Sequence, residues 1–456
     1  MKENKMGSMQ MKKLIMTMSL PIMVSMLVQA LYNIVDSMFV ARVSEDALAA
    51  VSLCYPIQMI LVAVACGTGV GINALLSRYL GQKEKDQAAQ VALHGILLSL
   101  LNGAVFAILG IFFSEIFLRL FTQDAAILEM GISYMRICTI FSVGVFVQIT
   151  YERIMQSTGN TIYNMIIQGV GALTNIILDP IFIFGYFGIP KMGVSGAAIA
   201  TVIGQMVAMV LGIMITKHKV KEIDLRLSKF HLQLPLVKKI YVIAIPAILM
   251  QSIMSFMTVF MNMILATFSA LAVSVFSIYF KLQQFVFMAV SGMNNALIPI
   301  ISYNYGARKK ERILEAIHFS LLISCVIMIA GSIIFQWIPE QLLYLFDAKE
   351  EMLNIGIPSL RIISISFVFA GISLVLCSVF QAVDHGIKSL MITLLRQMVL
   401  LIPMAYIFAS MFGLDVLWWA FPITEGICCA ASLWMLKVVK KKTILPLHRE
   451  EEQANA

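Results

Sequence analysis

Residues 14–40 read LIMTMSLPIMVSMLVQALYNIVDSMFV, a run of 27 residues in which Asp36 is the single charge. A helix crossing a bilayer needs about 20 mostly apolar residues, so this run predicts a membrane span, tilted or extended past the hydrocarbon layer. Working outward, eleven more such runs follow, near 48–77, 90–113, 130–155, 161–187, 193–216, 240–267, 272–302, 313–337, 354–381, 387–410 and 415–438. The whole chain is 60% hydrophobic and 13% charged, with a mean hydropathy of +0.89. Soluble domains carry roughly 25% charged residues, so an integral membrane protein is expected. A β-barrel is excluded, because its strands would be about 10 residues long and alternate in polarity. No cleavable signal peptide is expected, since the first apolar run is too long and continues as span one.

The chain aligns with itself at a fixed shift of 225 residues. Pro21 falls on Pro246, Gln58 on Gln283, Gly67 on Gly292, Ser77 on Ser302, Gly81 on Gly306, Arg136 on Arg361 and Gln156 on Gln381. Six spans per copy make the second copy enter the membrane in the same direction as the first, which implies a pseudo-twofold along the membrane normal. The expected fold is all-α: twelve transmembrane helices as two pseudo-twofold-related six-helix bundles. The N-lobe covers 1–216, a linker 217–239, the C-lobe 240–440 and a tail 441–456. Transporters built this way place their sites at or near the interface of the halves.

The formal charge of +8 is distributed unevenly. With both termini in the cytoplasm, 25 of the 33 Lys and Arg residues lie inside, including Lys12, Lys13, Arg78, Lys83, Lys85 and the run from Lys217 to Lys239. Only Arg42, Arg119, Lys191 and Lys349 fall outside. This positive-inside bias sets the orientation and accounts for the basic charge through lipid headgroups rather than nucleic acid. The seven cysteines all sit in predicted spans with no CxxC spacing, so neither a disulfide nor a metal site is expected. Prolines in the spans, Pro21 and Pro246 among them, each remove a backbone donor and are expected sites of kinks. The glycines of Gly67-Thr-Gly-Val-Gly71 serve either close helix packing or a bend.

Three acids lie inside apolar runs: Asp36, Asp179 and Glu425. A charge at the bilayer centre costs about 2.5–3.5 kcal/mol on insertion scales, so such residues face a cavity or a partner. Asp36 and Asp179 both sit near the outer ends of their spans, roughly 6–9 Å below the boundary at 1.5 Å per residue. Asn175 shares a helix face with Asp179, and Thr201 belongs to the same layer. Two carboxylates, a carboxamide and a hydroxyl make an oxygen-rich pocket, suited to Na+ at Asp36, Asn175 and Asp179, or to a proton, because desolvation and a like-charged neighbour favour a neutral carboxyl. The alternative is that each aspartate bonds privately to backbone or to Tyr32. The repeat makes this pocket one-sided: Asp36 and Asp179 fall opposite Met261 and Met404.

The run Ser19-Leu-Pro21, then Asp36, Ala47-Leu-Ala-Ala-Val-Ser52, Ser77-Arg-Tyr-Leu-Gly81, Gln156-Ser-Thr-Gly-Asn160, Asn175-Ile-Ile-Leu-Asp-Pro180 and Gly193-Val-Ser-Gly-Ala-Ala-Ile-Ala-Thr201 resembles the multidrug and toxic compound extrusion (MATE) family over nearly the whole chain. The resemblance implies a twelve-helix fold in two six-helix lobes, drug export driven by Na+ or H+ entry, and a cation site at Asp36, Asn175, Asp179 and Thr201. The sequence departs from the Na+-coupled pattern in its second half, with Gln251 in span seven and no acid in span ten until Asp384. Glu425, within Thr424-Glu-Gly426, is instead similar to the MepA-like subgroup of multidrug exporters. It either attracts cationic substrates or pairs with a base such as Lys281. Gln251, Phe256, Met257, Phe260, Met261 and Tyr32 are further candidates for the substrate cavity, since thioethers and aromatic faces suit varied lipophilic cations. Arg136, Lys281, Arg361 and Arg396 are the basic residues within spans, and ion pairing or capping at kinks is expected of them. Glu152 and Arg153 are either a cytoplasmic gate or a surface pair.

No P-loop, HExxH or GxSxG motif is present, so neither ATP drive nor an enzyme is expected. The expectation is a monomeric, multi-pass antiporter of the plasma membrane, without a cofactor. It would exchange drugs and organic cations for H+ or Na+. A lipid-linked glycan flippase on the same scaffold is the alternative, and would need a basic cavity.

Overall fold

The computed structural model describes residues 4–346 and 348–447, with the backbone alone for Leu227. Residues 448–456 of the expected tail therefore lie outside the described residues. The described chain is all-helical. Its long helices are α1 (Met11–Ala41), α2 (Glu45–Gly81), α3 (Lys85–Arg119), the pair α4 (Ala125–Ile140) and α5 (Val143–Ser157), α6 (Ile162–Phe184), α7 (Val194–Lys219), α8 (Leu234–Ala266), α9 (Ala270–Gly306), α10 (Lys310–Trp337), the pair α11 (Glu350–Ser364) and α12 (Phe367–Ala382), α13 (Gly386–Phe412) and α14 (Leu414–Ile444). Ten of these are long and apolar enough to cross a bilayer singly, and the two bent pairs, α4–α5 at 42° and α11–α12 at 48°, bring the total to twelve if each is one span.

The repeat is written into the backbone. Ser44 caps α2 by accepting from Ala47 N at 3.0 Å, and its equivalent Ser269 caps α9 by accepting from Ala272 N at 3.0 Å. Left-handed residues pair at the same shift: Lys83 with Arg308, Gly159 with Asp384 and Gly188 with Gly413. The two breaks correspond to within one residue of that shift, and they fall at Phe141–Ser142 and Ile365–Ser366 rather than at a proline, while Pro358 sits inside continuous helix.

Two compact units emerge. The N-unit is Val24–Ile248, and the C-unit joins Met23 and the residues before it to those from Leu249 onward. The boundaries cut α1 and α8 two residues past Pro21 and Pro246, again 225 apart. In the N-unit the start of α8 nests on α2: a Cβ at Gly67 would stand 2.7 Å from Ile248 N. In the C-unit a Cβ at Gly292 would stand 2.9 Å from Met23 Cα. These glycines serve close backbone packing.

Each unit also holds a leading segment. In the C-unit the carbonyls of the short helix Lys5–Ser8 and of Met9 are gripped from α9, α10 and the turn between them. Arg312 donates to Met6 O and Met9 O at 3.0 and 2.8 Å, Asn304 to Met6 O at 3.1 Å and Lys309 to Gly7 O at 3.0 Å. In the N-unit the linker is held by α3, where Gln90 donates to Lys229 O at 2.6 Å and buried His94 accepts from Gln233 N at 2.9 Å. Within the linker, Arg226 and Lys229 hold the Asp224 carboxyl well below the usual carboxylate range by donating to it.

Apolar surface turned outward has the helical period expected in lipid. On α3, Leu101, Val105, Ile108, Phe112 and Ile116 are exposed at three- and four-residue spacing. Association in hydrocarbon then rests on close packing of small residues. The contact of α6 with α7 is the clearest case: a Cβ at Gly204 would lie 2.8 Å from Gly171 O, and one at Gly171 would lie 3.1 Å from Gly204 O. Gly204→Val should therefore force α7 off α6 at an overpacking cost of about 1–3 kcal/mol. Gly169→Ala, where a Cβ meets nothing within 4 Å, should be neutral. Melting temperatures in detergent read the difference, and equal melting of both variants would contradict this packing.

Candidate functional site

The Gly171–Gly204 contact brings the polar side chains of α6 against α7. Asn175, 2% exposed, donates through one Nδ2 to Asp179 Oδ1 at 3.2 Å and to Thr201 Oγ1 at 3.3 Å. Asp179 is fully buried. Half-buried Asp36, on α1, brings its carboxyl within hydrogen-bonding reach of Asp179. Tyr32, one turn before Asp36, stands close enough to feel both charges, and Tyr134 of α4 feels that of Asp36. Gln58 of α2 donates to Tyr134 Oη at 3.0 Å. Pro180 lacks the N–H that would otherwise donate to Ile176 O. The four sequence-predicted residues thus gather in one unit. Gln58 and Tyr134 join them unannounced, although Gln58 had been noted as a repeat match with Gln283.

The chemistry of this cluster is unbalanced. Asp36 Oδ1, Asp179 Oδ2 and Asn175 Oδ1 are buried and have no N–H or O–H donor among the described residues. Acceptors in excess of donors, with two carboxyl groups facing each other, suit a positively charged guest: a metal ion coordinated by oxygen, or a proton shared between carboxyls.

A second polar cluster occupies the same unit. Glu152 and Arg153 are 5% and 9% exposed, so they are buried within the unit rather than paired on its surface. Gln148 donates to Glu152 Oε1 at 3.0 Å, Gln168 to Oε2 at 3.1 Å and Asn164 to the Glu152 backbone oxygen at 3.3 Å. Arg153 donates to Gln156 Oε1 at 2.9 Å, which also receives Asn73 Nδ2 at 3.3 Å. The i, i+4 spacing of Gln148 and Glu152, and of Asn164 and Gln168, was the available signal for this cluster.

Comparison with known proteins is decisive for the family. The MatE family model matches residues 21–181 and 246–407, well over half of the chain. This chain belongs to the MATE family. The two matched blocks of this MATE protein begin at the repeat-equivalent Pro21 and Pro246. It is similar to the multidrug export protein MepA of Staphylococcus aureus (strain MSSA476), with 25% identity over 433 residues covering 94% of each chain. The MepA of Staphylococcus haemolyticus (strain JCSC1435) is 26% identical over 433 residues, again covering 94% of each. Solved structures agree. A multidrug resistance MATE family transporter of the MOP superfamily in an outward-facing conformation superposes with a TM-score of 0.90 at 26% identity, covering 97% of this chain and 99% of that one. A MOP superfamily transporter from Pyrococcus furiosus Vc1, described as having a binding pocket of reversed polarity, gives 0.89 at 27% identity, with 97% and 99% covered. MATE transporters are ion-coupled antiporters.

The C-unit of this MATE protein carries thioethers at the equivalents of both aspartates. Met261 is fully buried, and Met404 Sδ lies 4.0 Å from Thr424 Oγ1. Along α8, Ile253, Met257, Met261 and Leu265 recur every four residues and pack inward. Of the expected cavity residues on this helix, Met257 and Met261 are therefore core, while Gln251, Phe256 and Phe260 remain exposed. Glu425 does have a basic partner, but it is Arg396, with Nε 3.6 Å from Oε1. Lys281 instead lies over the Phe346 ring at 5.9 Å. Arg396 sits in a π-helical segment, Leu395–Leu401, a local widening that turns its side chain to the pair. Removing one partner of a buried pair strands the other charge, at about 3–5 kcal/mol. Glu425→Leu should lower stability by that order, and Arg396→Met with Glu425→Leu should recover most of it, as read by melting in detergent. A double variant no more stable than the single would show that the two charges do not interact.

Proposed function

We propose that this protein is a secondary multidrug exporter of the plasma membrane, both termini cytoplasmic, exchanging lipophilic cations for an inward-moving proton. The observation that carries this reading is the pair of facing carboxyl groups, Asp36 and Asp179, cradled by Asn175 and Thr201 and left with bare oxygens. The names of the MepA relatives support the drug-export half of it. In this cycle the cation binds the carboxyl pair from outside and cancels their repulsion, α1, α6 and α7 settle into a different packing, and the drug leaves outward. Drug and cation favour different states, which is the requirement for coupling. The exposed aromatic rings Phe256 and Phe260 are suited to lipophilic cations. A flippase for a lipid-linked pyrophosphate would need a basic cavity, and the acids of the N-unit, Asp36, Asp179 and Glu152, work against an anion there.

The proton is favoured over Na+ because the Asp36 and Asp179 carboxyls stand within hydrogen-bonding reach of each other, where one O–H can bridge them without further ligands. Dye uptake into everted membrane vesicles, with a pH or a Na+ gradient imposed separately, is the test. Transport should follow the pH gradient and fall at least tenfold in Asp36→Asn. Drive by Na+ alone would overturn the proton assignment, and full activity in Asp36→Asn would overturn the site.

A further inference from the structure

Four polar residues of α6, Asn164, Gln168, Asn175 and Asp179, are spaced by four, seven and four positions. At 3.6 residues per turn they fall within about 60° of one face. All four present a buried oxygen that has no N–H or O–H donor among the described residues: Asn164 Oδ1, Gln168 Oε1, Asn175 Oδ1 and Asp179 Oδ2. Each such acceptor costs about 1–3 kcal/mol unless something donates to it. One orphan is a local defect. Four in line along a membrane helix call for mobile donors, which water and a travelling proton supply. At one end of the line stands the Asp36–Asp179 pair. At the other stands Glu152, whose carboxylate is held by Gln168 of α6 and Gln148 of α5.

We propose that Glu152 is a second proton-carrying carboxylate of the transport cycle, joined to the Asp36–Asp179 pair along the acceptor-lined face of α6. This rests on the reading of that pair as the coupling site. The separation from Asp179 to Gln168 is eleven residues, about 16 Å along the helix, so the proton crosses by way of intervening donors. The step balances simply. An O–H bond of the outer pair breaks with its electrons left on the aspartate oxygen, and an equivalent proton forms an O–H bond on a Glu152 oxygen. The summed charge of the two stations is unchanged.

The shell around Glu152 fits a proton and not a metal ion. Carboxamide N–H groups point at both carboxylate oxygens, and the adjacent Arg153 guanidinium and the Cys66 thiol of α2 are the charged and titratable groups that act with it. A metal ion there would meet hydrogens and a positive charge. A protonated Glu152 has an O–H to give, and Gln168 Oε1, brought round by a half-turn of its carboxamide, is the bare acceptor beside it. Between Gln168 and Asn175 this face is closed by the packing of Gly171 on Gly204 O, so exchange between the two stations requires α7 to move off α6 at that contact.

The test uses the full-length protein in liposomes, with ethidium as the transported cation. Glu152→Gln, Glu152→Asp and Asp36→Asn are each compared with wild type. Two quantities are read: efflux driven by a pH gradient over a range of pH, and protons released per protein when ethidium saturates the weakly buffered, detergent-solubilised protein. Glu152→Gln should lower driven efflux about tenfold, flatten its pH profile and reduce the proton count. Glu152→Asp, which keeps a carboxyl, should restore both. The inference is overturned if Glu152→Gln keeps the wild-type pH profile and proton count while Asp36→Asn loses them, and in that case the coupling site itself stands. It is also overturned if Glu152→Asp and Glu152→Gln are equally impaired with an unmoved pH profile, which marks a packing role. Wild-type behaviour in Asp36→Asn would instead remove the coupling site on which the inference rests.

Discussion

Two carboxyl groups, from α1 and α6, meet inside one helical unit with more acceptors than donors around them. Unit charges 4 Å apart repel by about 4 kcal/mol even at an effective dielectric of 20, and desolvation adds to that. Such a pair is tolerable only with a proton or a cation between its members. The rest of the N-unit is arranged around this constraint. The glycines at 171 and 204 let α7 approach until Thr201 reaches Asn175, and Asn175 in turn fixes Asp179. A site that is stable when occupied and strained when empty is the kind of element whose packing an ion can switch.

The duplicated scaffold does not duplicate this chemistry. Caps, three pairs of left-handed residues and the unit boundaries recur at a shift of 225, and the breaks recur within one residue of it. At the positions of the two aspartates, however, the C-unit has methionines, and its own buried charges are the matched Arg396 and Glu425. One half therefore holds two facing carboxyl groups with bare oxygens, and the other sets Glu425 against Arg396. The exposed Phe256 and Phe260 on α8 give that second half an apolar, aromatic surface in place of an ion site.

Much of this was legible in the sequence because it depends on local pattern. The twelve apolar runs, the repeat and the gathering of Asp36, Asn175, Asp179 and Thr201 follow from span length, fixed shift and depth along a helix. What stayed hidden depends on neighbours distant in sequence. The breaks at Phe141–Ser142 and Ile365–Ser366 carry no proline, whereas Pro358, one of the span prolines expected to kink, is accommodated within helix. Glu425 was matched with Lys281 as a possible base, but the π-helical turn carries Arg396 to it, and a change of helical period is not visible in hydropathy. Glu152 and Arg153, next to each other at a span end, read as readily for a surface pair. Only the approach of α6, with Asn164 and Gln168, shows why they are buried.

The most direct test of the central claim is infrared difference spectroscopy of the lipid-embedded protein as the pH is raised. The account predicts loss of a carboxylic-acid carbonyl band that is missing from the spectra of both Asp36→Asn and Asp179→Asn, since one proton is shared by the pair. A difference spectrum that is unaltered by either substitution would contradict it.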